Sequence, residues 1–250
     1  MIKSLLKNEL LLLSGNDIPF TPAQITIHPL RLKEIAYIGE EVFFTGCELL
    51  RFSKDILSDE DKFNLTQYND FQILMSILND KSGQMHNNVS AALSVLSLIF
   101  PLYVVTITPD AIVFSQDGEV RARMTAEHFE DFKRVISAMF CLEKTSQETT
   151  YNAQGELAKQ IAEKFKKRKQ KLAELKQKPE KVAIFSKYIS VLAVGEHKDI
   201  NSFMNYTVYQ LFDELQRFEL KEAYDMYLKA RLSGASELKE PEDWRKDLHS

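Results

Sequence analysis

The chain has 250 residues, of which 44% are hydrophobic and 27% charged, an ordinary globular balance that can build one large domain or two small ones. A formal charge of −4 and a pI near 5.8 argue against a general polyanion binder, which carries a basic excess over its whole domain. Two cysteines far apart, Cys47 and Cys141, make no disulfide framework and fit a reducing compartment.

In chain order, "MIKSLLKNELLLLSG" is too interrupted by Lys7 and Glu9 for a signal peptide, and no stretch reaches the ~18 apolar residues of a membrane span. The expectation is a soluble protein of the cytoplasm. Residues 1–13 read as a short helix or strand, and 18–29, with three prolines, as extended. Leu30 to Leu50 follows a mostly helical pattern, with Gly39 and Gly46 as expected breaks. Residues 53–69 are polar and turn-rich. Phe71, Leu74, Met75 and Leu78 recur at three and four, one face of a helix. "NNVSAALSVLSLIFP" is apolar nearly all round and predicts a buried central helix stopped by Pro101.

The period then changes to that of strands. "LYVVTI", "IVFS" and "VRARMT" are separated by Thr108-Pro109-Asp110-Ala111, a type I turn signal, and by Asp117-Gly118, a hairpin signal. They predict a three-stranded antiparallel meander near 102–124. Thr125 can cap the next helix, whose apolar face holds Phe129, Phe132, Ile136, Met139 and Phe140. Residues 143–153 read as a linker. A long basic helix is expected over 155–178, ended by Pro179, and "EKVAIFSKYISVLAVG" reads as a helix closed by Gly195. Asp199 to Met204 is a loop or short turn. Thr207 opens a strong helix with Gln210 at the capping-box position. Its core face is expected to hold Val208, Leu211, Phe212 and Leu215 and to continue through Leu220, Tyr224, Tyr227 and Leu228. The fold class is therefore α+β and mostly α-helical, a helical bundle with one small meander. Two units are expected, an α+β one over 1–145 and a helical one over 154–250.

From Glu156 to Lys178 there are nine Lys or Arg and three Glu. Leu157, Ile161, Phe165, Leu172 and Leu175 make a narrow apolar seam, interrupted by Arg168. The lysines coat the other faces, so the stretch reads as a solvated amphipathic helix with a usable seam rather than a nucleic-acid arm.

Chemistry-bearing patterns are sparse. Zinc, haem, phosphate-loop and nucleophile-elbow motifs are absent, and the five histidines are scattered. Cys47, beside Glu48 in an apolar segment, reads as structural. Pro109-Asp110 ahead of Glu119-Val120-Arg121 resembles the Pro-Asp…Glu-x-Lys of metal-dependent nucleases, but Arg stands for Lys and turn chemistry accounts for the same residues. Methionines including Met75, Met139 and Met226 could line adaptable apolar grooves, though most are expected in the core. Tyr206 and Tyr209 are expected to be partly exposed and to serve a protein contact.

"ITIHPLRLKEIAYIGEEVFF" resembles an opening found in proteins of the structural-gene modules of tailed bacteriophages. The C-terminal "IFSKYISVLAVGEHKDINSFMNYTVYQLFDELQRFELKEAYDMYLKARLSGA" is similar in layout to tail assembly chaperones of long-tailed phages. The resemblance implies a non-enzymatic protein of the host cytoplasm that binds the long, helical tape measure protein during tail morphogenesis. It needs no cofactor and no metal. Partners would be the tape measure protein or other tail proteins, with possible self-association, and neither nucleic acid nor membrane. The expected protein-binding residues are Phe165, Arg168, Leu172, Leu175, Tyr206 and Tyr209. The alternative functions are a structural virion protein (connector or tail component), or a nucleic-acid-binding or metal-dependent nuclease accessory protein.

Overall fold

The computed structural model describes residues 9–54, 66–79, 86–142, 183–234 and 240–245. The expected mostly helical α+β fold is present. After α1 (Glu9–Ser14), strands β1 (Ile18–Phe20) and β2 (Ile25–Ile27) pair antiparallel, Ile18 opposite Ile27. Helix α2 (Leu32–Ile38) is separated from α3 (Glu40–Leu50) by Gly39 at φ 90°, so the expected break at Gly39 is real. Gly46, by contrast, lies inside α3. There it lets α3 press against α5 (His86–Ile99), where a Cβ on Gly46 would lie 2.6 Å from the Ala91 carbonyl oxygen. A glycine that lowers helix propensity can be kept for close packing, which a propensity rule misreads as a break.

Helix α4 (Asp70–Leu78) starts in a capping box. Asn69 Oδ1 accepts from the Gln72 N–H at 2.8 Å, and Gln72 Oε1 accepts from the Asn69 N–H at 2.9 Å. Helix α5 ends at Ile99, two residues before Pro101. The meander is as expected, with β3 (Val104–Ile107), β4 (Ile112–Gln116) and β5 (Glu119–Met124) in the order β3-β4-β5. In the tight turn both Asp117 (φ 54°) and Gly118 (φ 80°) are left-handed, as a two-residue hairpin requires. Phe114 faces Ala122 while Ser115 faces Val120, so Arg121 is the extra residue of a bulge in β5. Helix α6 (Ala126–Met139) follows Thr125, whose N–H donates to His128 Nδ1 at 3.2 Å.

Helices α7 (Ile184–Glu196), α8 (Ile200–Phe203) and α9 (Val208–Leu232) complete the described chain. Residues 1–142 and 185–250 form one compact unit, and the other, 143–184, lies almost wholly outside the described residues. The expected independent C-terminal unit over 154–250 is thereby corrected. The physical reason is a shared core. Phe43 of α3 meets both Phe140 (ring centroids 5.0 Å apart) and Phe185 of α7 (5.8 Å), and Phe185 in turn meets Phe212 of α9 (6.4 Å). The Leu32 N–H also donates to the Tyr206 carbonyl at 2.9 Å, and Arg31 bridges Thr207. Glu40 caps α7 from a distance: its carboxylate accepts from the N–H groups of Phe185 (3.1 Å) and Ser186 (3.2 Å), donors that α7 cannot satisfy itself.

Two further expectations are corrected. Gly195 does not close α7. His197 takes the left-handed position at φ 55°, while a Cβ on Gly195 would come within 2.2 Å of the Phe218 ring. The core face of α9 also stops early. Leu215 is the last buried residue; Leu220, Tyr224 and Tyr227 are only half-buried and Leu228 is exposed. The apolar spacing is continuous along the helix, but the body it packs on ends sooner.

Candidate functional site

The start of α9 is fixed from three sides. Thr207 Oγ1 accepts from the Gln210 N–H at 3.3 Å, and Gln210 Oε1 accepts from the Thr207 N–H at 2.8 Å, the capping box expected from the sequence. Gln210 Nε2 also donates to the Leu13 carbonyl at 2.6 Å, tying α9 to α1. From this anchor α9 forms one wall of an open groove of about 920 Å³, a volume in the range of natural ligand pockets. Leu13, Tyr206, Phe218 and Trp244 supply apolar wall, and Asp213 and Arg217 carry charge. Asp213, itself buried, is ion-paired with Arg217 Nε at 3.2 Å. Gly195 and the Phe218 ring set the wall where α7 approaches α9.

A carboxylate–lysine cluster sits at one side of this groove. Lys198 Nζ lies 2.7 Å from Glu196 Oε2 and also pairs with Glu214, which binds α9 to the segment after α7. Burial, opposed by the hydrogen bond from Lys198, pushes the Glu196 carboxyl above the usual range, and the Glu214 carboxylate beside it pushes the same way. Burial also acts to raise Glu214, but hydrogen bonds from Lys198, Glu196 and Tyr206 outweigh it and hold Glu214 below the ordinary carboxylate value. Glu196 is thus the more readily protonated member of the pair. Hydrogen bonds to Glu196 and Glu214 hold the Lys198 ammonium charged, with its pKa raised. Tyr206 is raised by burial and by its hydrogen bond to Glu214. With each charge met by an opposite one or a donor, this cluster holds helices together; an open reactive group is not among its parts.

Of the residues expected to bind protein, Phe165, Arg168, Leu172 and Leu175 lie outside the described residues. Tyr206 is half-buried and lines the groove, as expected of a contact residue. Tyr209 is corrected: only 5% of it is exposed, because position 209 turns towards the core beside Val208. The nuclease pattern does not assemble. Asp110 precedes the start of β4, whereas Glu119 pairs with Gln116 at its far end, so six residues of extended chain, roughly 20 Å, separate them. Asp110 accepts from the Thr108 hydroxyl at 3.0 Å, and Glu119 pairs with Arg121 at 3.3 Å. Among the described residues no group of His, Cys, Asp and Glu is arranged to hold a metal ion. Cys47 is 1% exposed, and burial raises its thiol pKa, with Arg51 opposing; it is a packing residue, as read from the sequence. Among the described residues no helix is long and apolar enough to cross a membrane.

Sequence reasoning missed the groove itself. Its walls come from positions 13, 195, 206, 213–218 and 244, which share no local motif. The signals available were Gly195 in an otherwise bulky helix and Trp244, the single tryptophan, in a polar tail.

A family model described as YomV second domain, a phage-associated family name, matches residues 176–249. No curated protein and no solved structure matches the chain. The matched stretch contains α7, α8 and α9, the carboxylate–lysine cluster and every groove residue except Leu13. The C-terminal part of this chain is therefore similar to a phage-associated domain.

Proposed function

We propose that this protein is a non-enzymatic phage tail assembly chaperone that holds the tape measure protein during tail morphogenesis, in the cytoplasm of the host cell. The observation that carries the reading is the placement of the groove: a long trough walled by α9, with aromatic walls and a charged flank, inside the segment similar to a phage-associated domain. A trough of this kind suits an amphipathic helix, whose apolar residues enter between Phe218 and Trp244 while its polar side meets Arg217 and Lys221. The seam expected at Phe165, Leu172 and Leu175 would add a second grip on the same partner.

The test is recovery of the tagged protein from phage-infected cells, with mass spectrometry of its partners and of purified virions. Recovery of the tape measure protein with the bait missing from virions is the expected result. Stoichiometric bait in virions would replace this reading with that of a connector or tail component.

A further inference from the structure

Beyond Leu215 no residue of α9 is buried, and the outward side of this distal half carries its own pattern. Phe218, Glu222, Asp225, Met226, Lys229 and Leu232 recur at steps of three and four, so they share one face. The opposite side is occupied within the chain, where Arg231 donates to the Tyr227 hydroxyl at 3.1 Å and lies over its ring. On the outward face Met226 is 63% exposed and Leu232 89%, large apolar side chains that nothing among the described residues covers. Asp225 is taken by Lys221 at 3.3 Å, one turn away on the same helix. Glu222 and Lys229 are exposed and make no ion pair among the described residues.

The charges on this face are self-complementary under reversal. Positions 222 and 229 are equidistant from the midpoint between Asp225 and Met226, as are 219 and 232. We propose that the chain self-associates through the outward face of distal α9, two copies packing antiparallel about a two-fold axis at Asp225–Met226. In that arrangement Glu222 of each copy faces Lys229 of the other, Met226 meets Met226 across the axis, and Leu232 reaches the Phe218–Glu219 turn of the second copy. The same patch serves both copies, as a closed two-fold interface requires. A parallel pairing would instead set Glu222 against Glu222 and Lys229 against Lys229, which like-charge repulsion disfavours. The overlap, residues 219–232, is about 20 Å of helix and falls at the small end of interface sizes, below about 1,200 Å², so the dimer forms and dissociates with concentration.

Sedimentation equilibrium of the full chain over a concentration series tests this. The mass should rise from 28.9 kDa towards twice that value. Glu222→Lys and Lys229→Glu should each weaken association roughly tenfold, since each turns two facing pairs into like charges. An equimolar mixture of the two variants should recover it, because each supplies the charge the other lacks, and so should the double exchange in one chain. Met226→Cys, made with Cys141→Ser, should oxidise to a cross-linked dimer. All these positions are exposed, so the variants keep the fold, which circular dichroism checks. A mass of one chain at every concentration overturns the proposal, as does a dimer indifferent to the single reversals or a mixture that fails to recover association.

Discussion

Gly46→Ala separates packing from propensity. On propensity alone alanine stabilises a helix interior by about 1 kcal/mol over glycine. In this structure the new methyl would lie 2.6 Å from the Ala91 carbonyl oxygen, 2.9 Å from the Ala91 carbonyl carbon and 2.7 Å from a Val95 methyl. The Val95 methyl can rotate away, but the Ala91 carbonyl belongs to the backbone of α5 and cannot. Helices α3 and α5 must therefore part by several tenths of an ångström, opening the contact between Gly46 and the buried Ala91, Ala92 and Val95. Overpacking of this kind costs about 1–3 kcal/mol or more. Set against the propensity gain, the net expectation is a loss of about 1–2 kcal/mol. With a urea slope of about 1–3 kcal/mol per molar, the midpoint falls by roughly 0.5–1 M with the slope unchanged. Val95→Ala in the same chain should not rescue it, because the backbone contact remains. A midpoint for Gly46→Ala equal to or above that of the parent protein would refute the close crossing of α3 and α5.

Glu40→Ala should cost about 1–2 kcal/mol by leaving two amide donors at the start of α7 without their acceptor, and hydrogen exchange should quicken at Phe185 and Ser186 before it does in α9. For Glu214, held below the ordinary carboxylate value, the stability it contributes is present above the unfolded pKa of about 4.3 and lost as pH falls through its folded pKa. Glu214→Gln should therefore unfold more readily than the parent at neutral pH, and urea titrations of the two should converge in acid. Gly195→Ala should displace the Phe218 ring, which a Cβ would meet at 2.2 Å, and so weaken helix binding in the groove while the fold persists. Trp244, the single tryptophan and a wall residue, reports that binding directly: its emission should shift to the blue when a helical tape measure fragment docks, and an unchanged spectrum under saturation would tell against this groove.

Local chemistry was legible in the sequence wherever one short stretch decided the outcome. Asp117-Gly118 dictated a hairpin, Pro101 a helix end, and Thr207 with Gln210 a capping box, because each acts on backbone groups within four residues of itself. Where distant residues decided, the reading failed. Gly46 and Gly195 both look like helix breakers until Val95 and Phe218 are brought against them. The spacing that places Leu215 in the core runs unchanged through Leu228, and only the end of the surrounding body separates buried from exposed. The domain boundary failed for the same reason: a change in composition near residue 143 marks where the chain leaves the core, and nothing local announces that Phe185 returns to the Phe43 ring.

That return has an evolutionary consequence. Phe140, just before the departure, and Phe185, just after the re-entry, are both seated on Phe43, so the chain leaves and rejoins the body at one place. Loop-closure entropy grows only with the logarithm of length, so a stretch tethered at a common point can be lengthened, shortened or exchanged at small thermodynamic cost to the body. Position 143–184 is thus a site where a lineage can trade one partner-facing segment for another while the groove and its phage-associated scaffold are kept.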